Sequence, residues 1–230
     1  MVILGLTGSI GMGKSTVAGM LRRMRIPVYD SDAAVHRLYA RGGRAVRPIA
    51  AAFPEAVKNG AVDRRELSRY VVGDKTAFAR LESIVHPLVA GVRDDFLRRM
   101  ARRGARLVVI DVPLLFEIGG DKACDAVMVV SAPAFIQRQR VLARPGMTPQ
   151  KLDEILARQV PDAEKRRRAD FVIETGQPRR RTLRRLREVV KVTAAQPGRR
   201  WPPDPLVSRM PRDARNRPRH RNDRSRSRRP

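Results

Sequence analysis

The run Gly8-Ser9-Ile10-Gly11-Met12-Gly13-Lys14-Ser15 constrains this chain more than any other feature, because it fits the pattern G-x-x-x-x-G-K-[ST] in a telling context. Residues 2–7 before it are apolar and partly β-branched, which predicts a strand. Residues 14–25 after it set Val17, Leu21 and Met24 at helical spacing. A second apolar run at 26–29 completes a βαβ unit, so parallel pairing with a right-handed crossover is expected. Glycines let such a loop curl until successive backbone N–H groups converge on phosphate at a positive helix end. Gly8, Gly11, Met12, Gly13, Lys14, Ser15 and Thr16 are therefore candidate nucleotide-binding residues. Lys14 would reach β- and γ-phosphates, and the Ser15 hydroxyl would ligate Mg²⁺. A glycine-rich turn containing GKS by coincidence would leave the flanking strand and helix unexplained.

The rest of the chain repeats the alternation. Apolar runs at 106–111, 126–130 and 171–173 read as buried strands, and 133–144 and 149–160 as helices, the second with Thr148 as N-cap and Pro149 at its first position. Strands separated by helices predict an α/β fold, a P-loop NTPase-like parallel sheet flanked by helices. Residues 31–103 read as helical, with Asp63 and Asp74 as N-caps and Pro87 expected to kink or restart a long helix. Leu183, Leu186, Val189 and Val190 mark a last amphipathic helix. This gives one domain over 1–196 and a tail over 197–230, whose seven prolines and twelve arginines predict disorder.

Composition narrows the function classes. The 230 residues have no apolar run of the roughly 18 that a membrane-spanning helix needs, so a soluble cytoplasmic protein is expected. A single cysteine, Cys124, excludes an intrachain disulfide, and three scattered histidines argue against a zinc centre. Cys124 itself reads as inert packing. The net charge of +26 points to an anionic partner, yet only seven of 49 basic residues are lysine, a bias that a GC-rich coding sequence also produces. The tail could add weak non-specific affinity for nucleic acid or anionic lipid. Nothing in the sequence sets the oligomeric state.

Three further groups bear on chemistry. Asp111 closes the strand at 106–111, as the metal-holding acid of a Walker B strand does; it could equally be an ordinary loop aspartate. Asp32 follows the second strand, where the carboxyl ends of parallel strands line a ligand crevice. There it could take the proton of an attacking hydroxyl, or it could cap the helix that follows. Arg140 and Arg144 could hold phosphate oxygens or form a solvated basic face.

Segments 6–16 (LTGSIGMGKST), 29–32 (YDSD), 86–89 (HPLV), 111–117 (DVPLLFE), 137–144 (QRQRVLAR) and 158–173 occur in an order and spacing that resembles the dephospho-CoA kinase family, over about residues 1–195. The resemblance implies transfer of the ATP γ-phosphate to the ribose 3′-hydroxyl of dephospho-CoA, the last step of coenzyme A synthesis. It implies Asp32 as general base, Lys14 and Arg140 as further catalytic groups, Arg144 as an ATP contact, and a lid near 117–150. It also implies an acceptor region near 31–103, to which His86 and Leu115 would contribute, although His86 also reads as a kink-site histidine and Leu114, Leu115 and Phe116 as packing. Ser31 and Ser9 replace an alanine and a glycine usual in the family, Ser9 being tolerable at negative φ. Thr175 stands where asparagine is frequent, which puts an adenine contact from that side chain in question. A nucleoside or nucleotide kinase is the rival enzyme, and a nucleic-acid-binding protein working through its tail is the rival of another kind.

Overall fold

A computed structural model describes residues 1–202. Five strands, β1 (Val2–Thr7), β2 (Val28–Asp30), β5 (Leu107–Asp111), β6 (Ala126–Ser131) and β7 (Phe171–Glu174), form one sheet in the order β2-β5-β1-β6-β7, and every pairing is parallel. The apolar character of β1, β5 and β6 follows from burial on both faces. Alternation along the strands separates two cores. Leu4, Leu6, Val109, Met128 and Val130 face α1 (Lys14–Arg23) and α9 (Arg179–Ala194), which add Val17, Leu21, Leu186 and Val189. Ile3, Val108, Ile110, Val127 and Val129 face Leu97 and Met100 of α5 (Lys75–Arg102).

A third core belongs to the region between β2 and β5. It packs α2 (Ser31–Tyr39), α3 (Val46–Ala52) and α4 (Arg64–Val71) against the first half of α5 through Leu38, Ile49, Leu67 and Val85. Asp63 and Asp74 cap α4 and α5 as expected, each accepting two backbone N–H groups. One expectation for this region is corrected and a second is narrowed. Residues 31–103 are not wholly helical, because β3 (Val57–Lys58) and β4 (Ala61–Val62) pair as an antiparallel hairpin. Its two turn residues, Asn59 and Gly60, have φ of 52° and 75°, the pair of positive values a tight hairpin turn requires. Pro87 does not restart α5, which continues through it with Val85 on one side and Leu97 on the other buried in separate cores. Packing at both ends outweighs the backbone hydrogen bond that a proline forfeits.

After β6 come α6 (Ala134–Leu142), α7 (Pro149–Ala157) and α8 (Asp162–Arg168). Because β6 pairs with β1 at the centre of the sheet, it cannot belong to a lid drawn over 117–150. The expected disordered tail is also corrected at its start. The Arg199 and Arg200 N–H groups donate to Asp125 Oδ1 at 2.6 and 2.9 Å, and Trp201 packs against the core under α5. The remainder of the expected tail, 203–230, lies outside the described residues. Among the described residues no helix is long and apolar enough to cross a membrane.

Candidate active site

The loop between β1 and α1 closes because three glycines meet neighbours too near for a side chain. A Cβ on Gly8 would lie 2.6 Å from the Val130 carbonyl oxygen, and one on Gly11 2.5 Å from Val141. Gly11 and Gly13 also hold φ of 76° and 89°, values that L side chains rarely adopt. Ser9 is not among the residues with positive φ, so its departure from glycine carries no strain. Side chains from three later parts of the chain then fix the loop. Gln137 of α6 donates to the Ile10 carbonyl at 2.8 Å, and Gln159 accepts the Ile10 N–H at 3.2 Å. Thr175, just after β7, donates its hydroxyl to the Met12 carbonyl at 2.6 Å.

A cavity of about 660 Å³ opens over this loop. The loop forms its floor from Gly8 to Thr16, and Asp32, Pro113, Arg140, Arg144 and Arg179 are set around it. The N-terminus of α1, Lys14 and three arginines make it a strongly anion-attracting space. A larger recess, about 800 Å³, lies between β7 and α9 among Arg180, Arg181, Arg184 and Arg185. It has neither the phosphate loop nor a free carboxylate, so chemistry rather than size marks the site.

The expected site residues separate into those that meet here and those that do not. Asp32 lies in the first turn of α2 and lines the cavity with no hydrogen bond or ion pair among the described residues. The cap of α2 is Asp30, whose side chain accepts the Ala33 N–H at 3.0 Å, so the capping alternative for Asp32 is removed. Asp111 lies 2.5 Å from Lys14 Nζ and is almost fully buried beneath it. Burial pushes its carboxyl above the usual aspartate range, against the pull of Lys14. Arg140 donates to the Thr175 hydroxyl at 3.0 Å and the Thr175 carbonyl at 2.7 Å, so Thr175 seats an arginine and the loop together. Arg144 lines the cavity and is exposed.

Met12, His86 and Leu115 do not meet at the site through their side chains. Met12 is 2% exposed, and its sulfur accepts the Ala132 N–H beneath the loop. His86 is outside the cavity on α5, 3.5 Å from Glu82 one turn earlier. Leu115 is 2% exposed and packs with Phe116 in the core under α5, while Leu114 is the exposed leucine of that segment. Cys124 is inert packing as expected, since burial raises its thiol to about 12. Gln137 and Gln159 escaped sequence reasoning; each is an uncharged residue within an otherwise basic segment, and only the fold turns them onto Ile10. Among the described residues no cluster of three or more His, Cys, Asp or Glu could cage a metal. Ser15, at the start of α1 on the cavity lining, offers a hydroxyl of the kind Mg²⁺ takes alongside phosphate and water, whereas Asp111 is buried against Lys14 and is not part of that lining.

A parallel sheet with this order, a phosphate loop entering a helix, and arginines converging with a free carboxylate over it define a P-loop kinase. Comparison with known proteins narrows the class. The dephospho-CoA kinase family profile matches residues 2–179, and the chain belongs to that family. It is 63% identical over 166 residues to the dephospho-CoA kinase of Paramagnetospirillum magneticum, covering 72% of this chain and 78% of that one. It is 52% identical over 197 residues to that of Brucella melitensis, covering 86% and 98%. A crystal structure from Thermus thermophilus superposes with a TM-score of 0.73 at 37% identity, over 83% of this chain and 96% of the other. The dephospho-CoA kinase of Campylobacter jejuni shares the fold at a TM-score of 0.58 and 19% identity, over 83% and 96%.

Proposed function

We propose that this protein transfers the γ-phosphate of ATP to the ribose 3′-hydroxyl of dephospho-CoA, releasing ADP and coenzyme A. The observation that carries this reading is an unpartnered carboxylate, Asp32, on the wall of the cavity whose floor is a complete phosphate loop. The loop N–H groups and the α1 N-terminus hold the β- and γ-phosphates, and Lys14, already oriented by Asp111, bridges them. Ser15 would hold Mg²⁺, with Asp111 acting directly or through water, and the ion would supply charge neutralisation at the β- and γ-phosphates. Arg140 and Arg144 steady the equatorial oxygens of the transferring group, where guanidinium geometry matches phosphate. Asp32 accepts the proton of the 3′-hydroxyl or aligns it for in-line attack.

Asp32→Asn tests this assignment, because the amide keeps the shape of the carboxylate and loses its basicity. Turnover should fall about a hundredfold to ten-thousandfold while the dissociation constant for ATP stays within a factor of about two. Wild-type turnover in this variant would remove Asp32 from the mechanism.

A further inference from the structure

Lys165 of α8 is completely buried, with Nζ 2.9 Å from Glu117 Oε1. Beyond this ion pair, neither Lys165 Nζ nor Glu117 Oε2 has a hydrogen-bond partner among the described residues. A pair desolvated this way is a poor source of stability, since apolar side chains of similar volume often replace one without loss. Its surroundings supply another use. Glu117 Oε1 also accepts the Val160 N–H at 3.0 Å. The residue before Val160 is Gln159, which accepts the Ile10 N–H of the phosphate loop. Between α7 and α8 the Arg158 and Gln159 N–H groups close the last turn of α7 on the Ile155 and Leu156 carbonyls, so Val160 is the residue of this turn whose N–H is held by a side chain.

We propose that Glu117, held in place by Lys165, is a positioning residue for the phosphate loop: it fixes the 158–160 turn so that Gln159 grips the Ile10 amide. With Gln137 on the Ile10 carbonyl, both backbone groups of Ile10 are then committed, and the following glycines present their N–H groups to the cavity already curled. A loop released from this grip would have to be ordered by the nucleotide, which weakens binding without touching any contact to phosphate. The inference rests on the reading of this cavity as the ATP site.

Two paired substitutions separate positioning from packing. Glu117→Met with Lys165→Met keeps the core apolar and leaves Val160 N–H without an acceptor. Glu117→Gln with Lys165→Met removes the charges and retains an acceptor oxygen. ADP affinity by calorimetry should fall about five- to tenfold in the first and stay within about twofold of wild type in the second, the range one hydrogen bond supplies. The KM for ATP should follow ADP affinity, with the KM for the acceptor unchanged. Gln159→Ala should reproduce the loss, and adding it to the Met pair should cause no further loss. Equal ADP affinity in the two paired variants, wild-type affinity in Gln159→Ala, or additive losses would overturn the proposal. A wild-type protein that bound no ADP would instead overturn the reading of the cavity.

Discussion

Thr175 does three jobs at one position: its hydroxyl donates to the Met12 carbonyl, accepts from Arg140, and its side chain closes against Gly13. Thr175→Val preserves the shape, takes the hydroxyl donor from the Met12 carbonyl and leaves Arg140 only its contact to the Thr175 carbonyl, so it should destabilise the fold by about 1–3 kcal/mol in chemical denaturation and raise the KM for ATP several-fold. Unchanged KM would show that Arg140 and the loop hold their positions without it. Gly11→Ala combines a positive φ with a Cβ 2.5 Å from Val141, so it should cost more than about 1 kcal/mol and abolish tight nucleotide binding together. Tight ATP binding with wild-type stability would contradict the close approach. The chemical residues were legible at this scale because motif spacing reports backbone geometry directly. The burial of Met12 was not, since a loop residue takes its direction from packing against distant segments, whereas Leu115 packs as one of its two readings had it.

Elements were legible wherever periodicity carried them. The five parallel strands, the caps Asp63, Asp74 and Thr148, and Pro149 at the start of α7 follow from local pattern alone. The β3–β4 hairpin was not legible although Asn59-Gly60 is a strong local turn signal, because strands of two residues, one of them the Val57–Lys58 pair, show no alternation. Gly60→Ala should therefore cost about 1 kcal/mol by chemical denaturation, the effect of placing a side chain at a φ of 75°. The buried face of α8 was equally hidden, a lysine at full burial being contrary to every composition rule. Burial alone would raise the Glu117 carboxyl, yet Lys165 and the backbone N–H groups of Glu117 and Val160 hold it below the usual 4.5. A depressed carboxylate contributes stability above its unfolded pKa and loses it as pH falls through the folded one. Melting temperature of the wild type should accordingly drop further between about pH 5 and pH 3 than that of Glu117→Gln with Lys165→Met. Parallel curves would contradict the shift.

At the scale of the whole molecule, the cavity lies at the carboxyl ends of the parallel strands. Asp125, just before β6, gathers the Ile3 N–H and the amides of Arg199 and Arg200 at the opposite ends. Ending the chain at Gln196 instead of Pro202 strips Trp201 and the Asp125 partners, so of these two truncations the shorter should melt several degrees lower. Equal melting of the two truncations would show that residues 197–202 add nothing to the fold. The central claim is the reaction, and the most direct test measures ADP release by the purified full chain with ATP and Mg²⁺. Dephospho-CoA would be compared with AMP, CMP, adenosine and no acceptor, and the product weighed by mass spectrometry. The account predicts efficient turnover with dephospho-CoA alone, giving a product of the mass of coenzyme A. Efficient turnover of a mononucleotide or nucleoside, with none of dephospho-CoA, would contradict it.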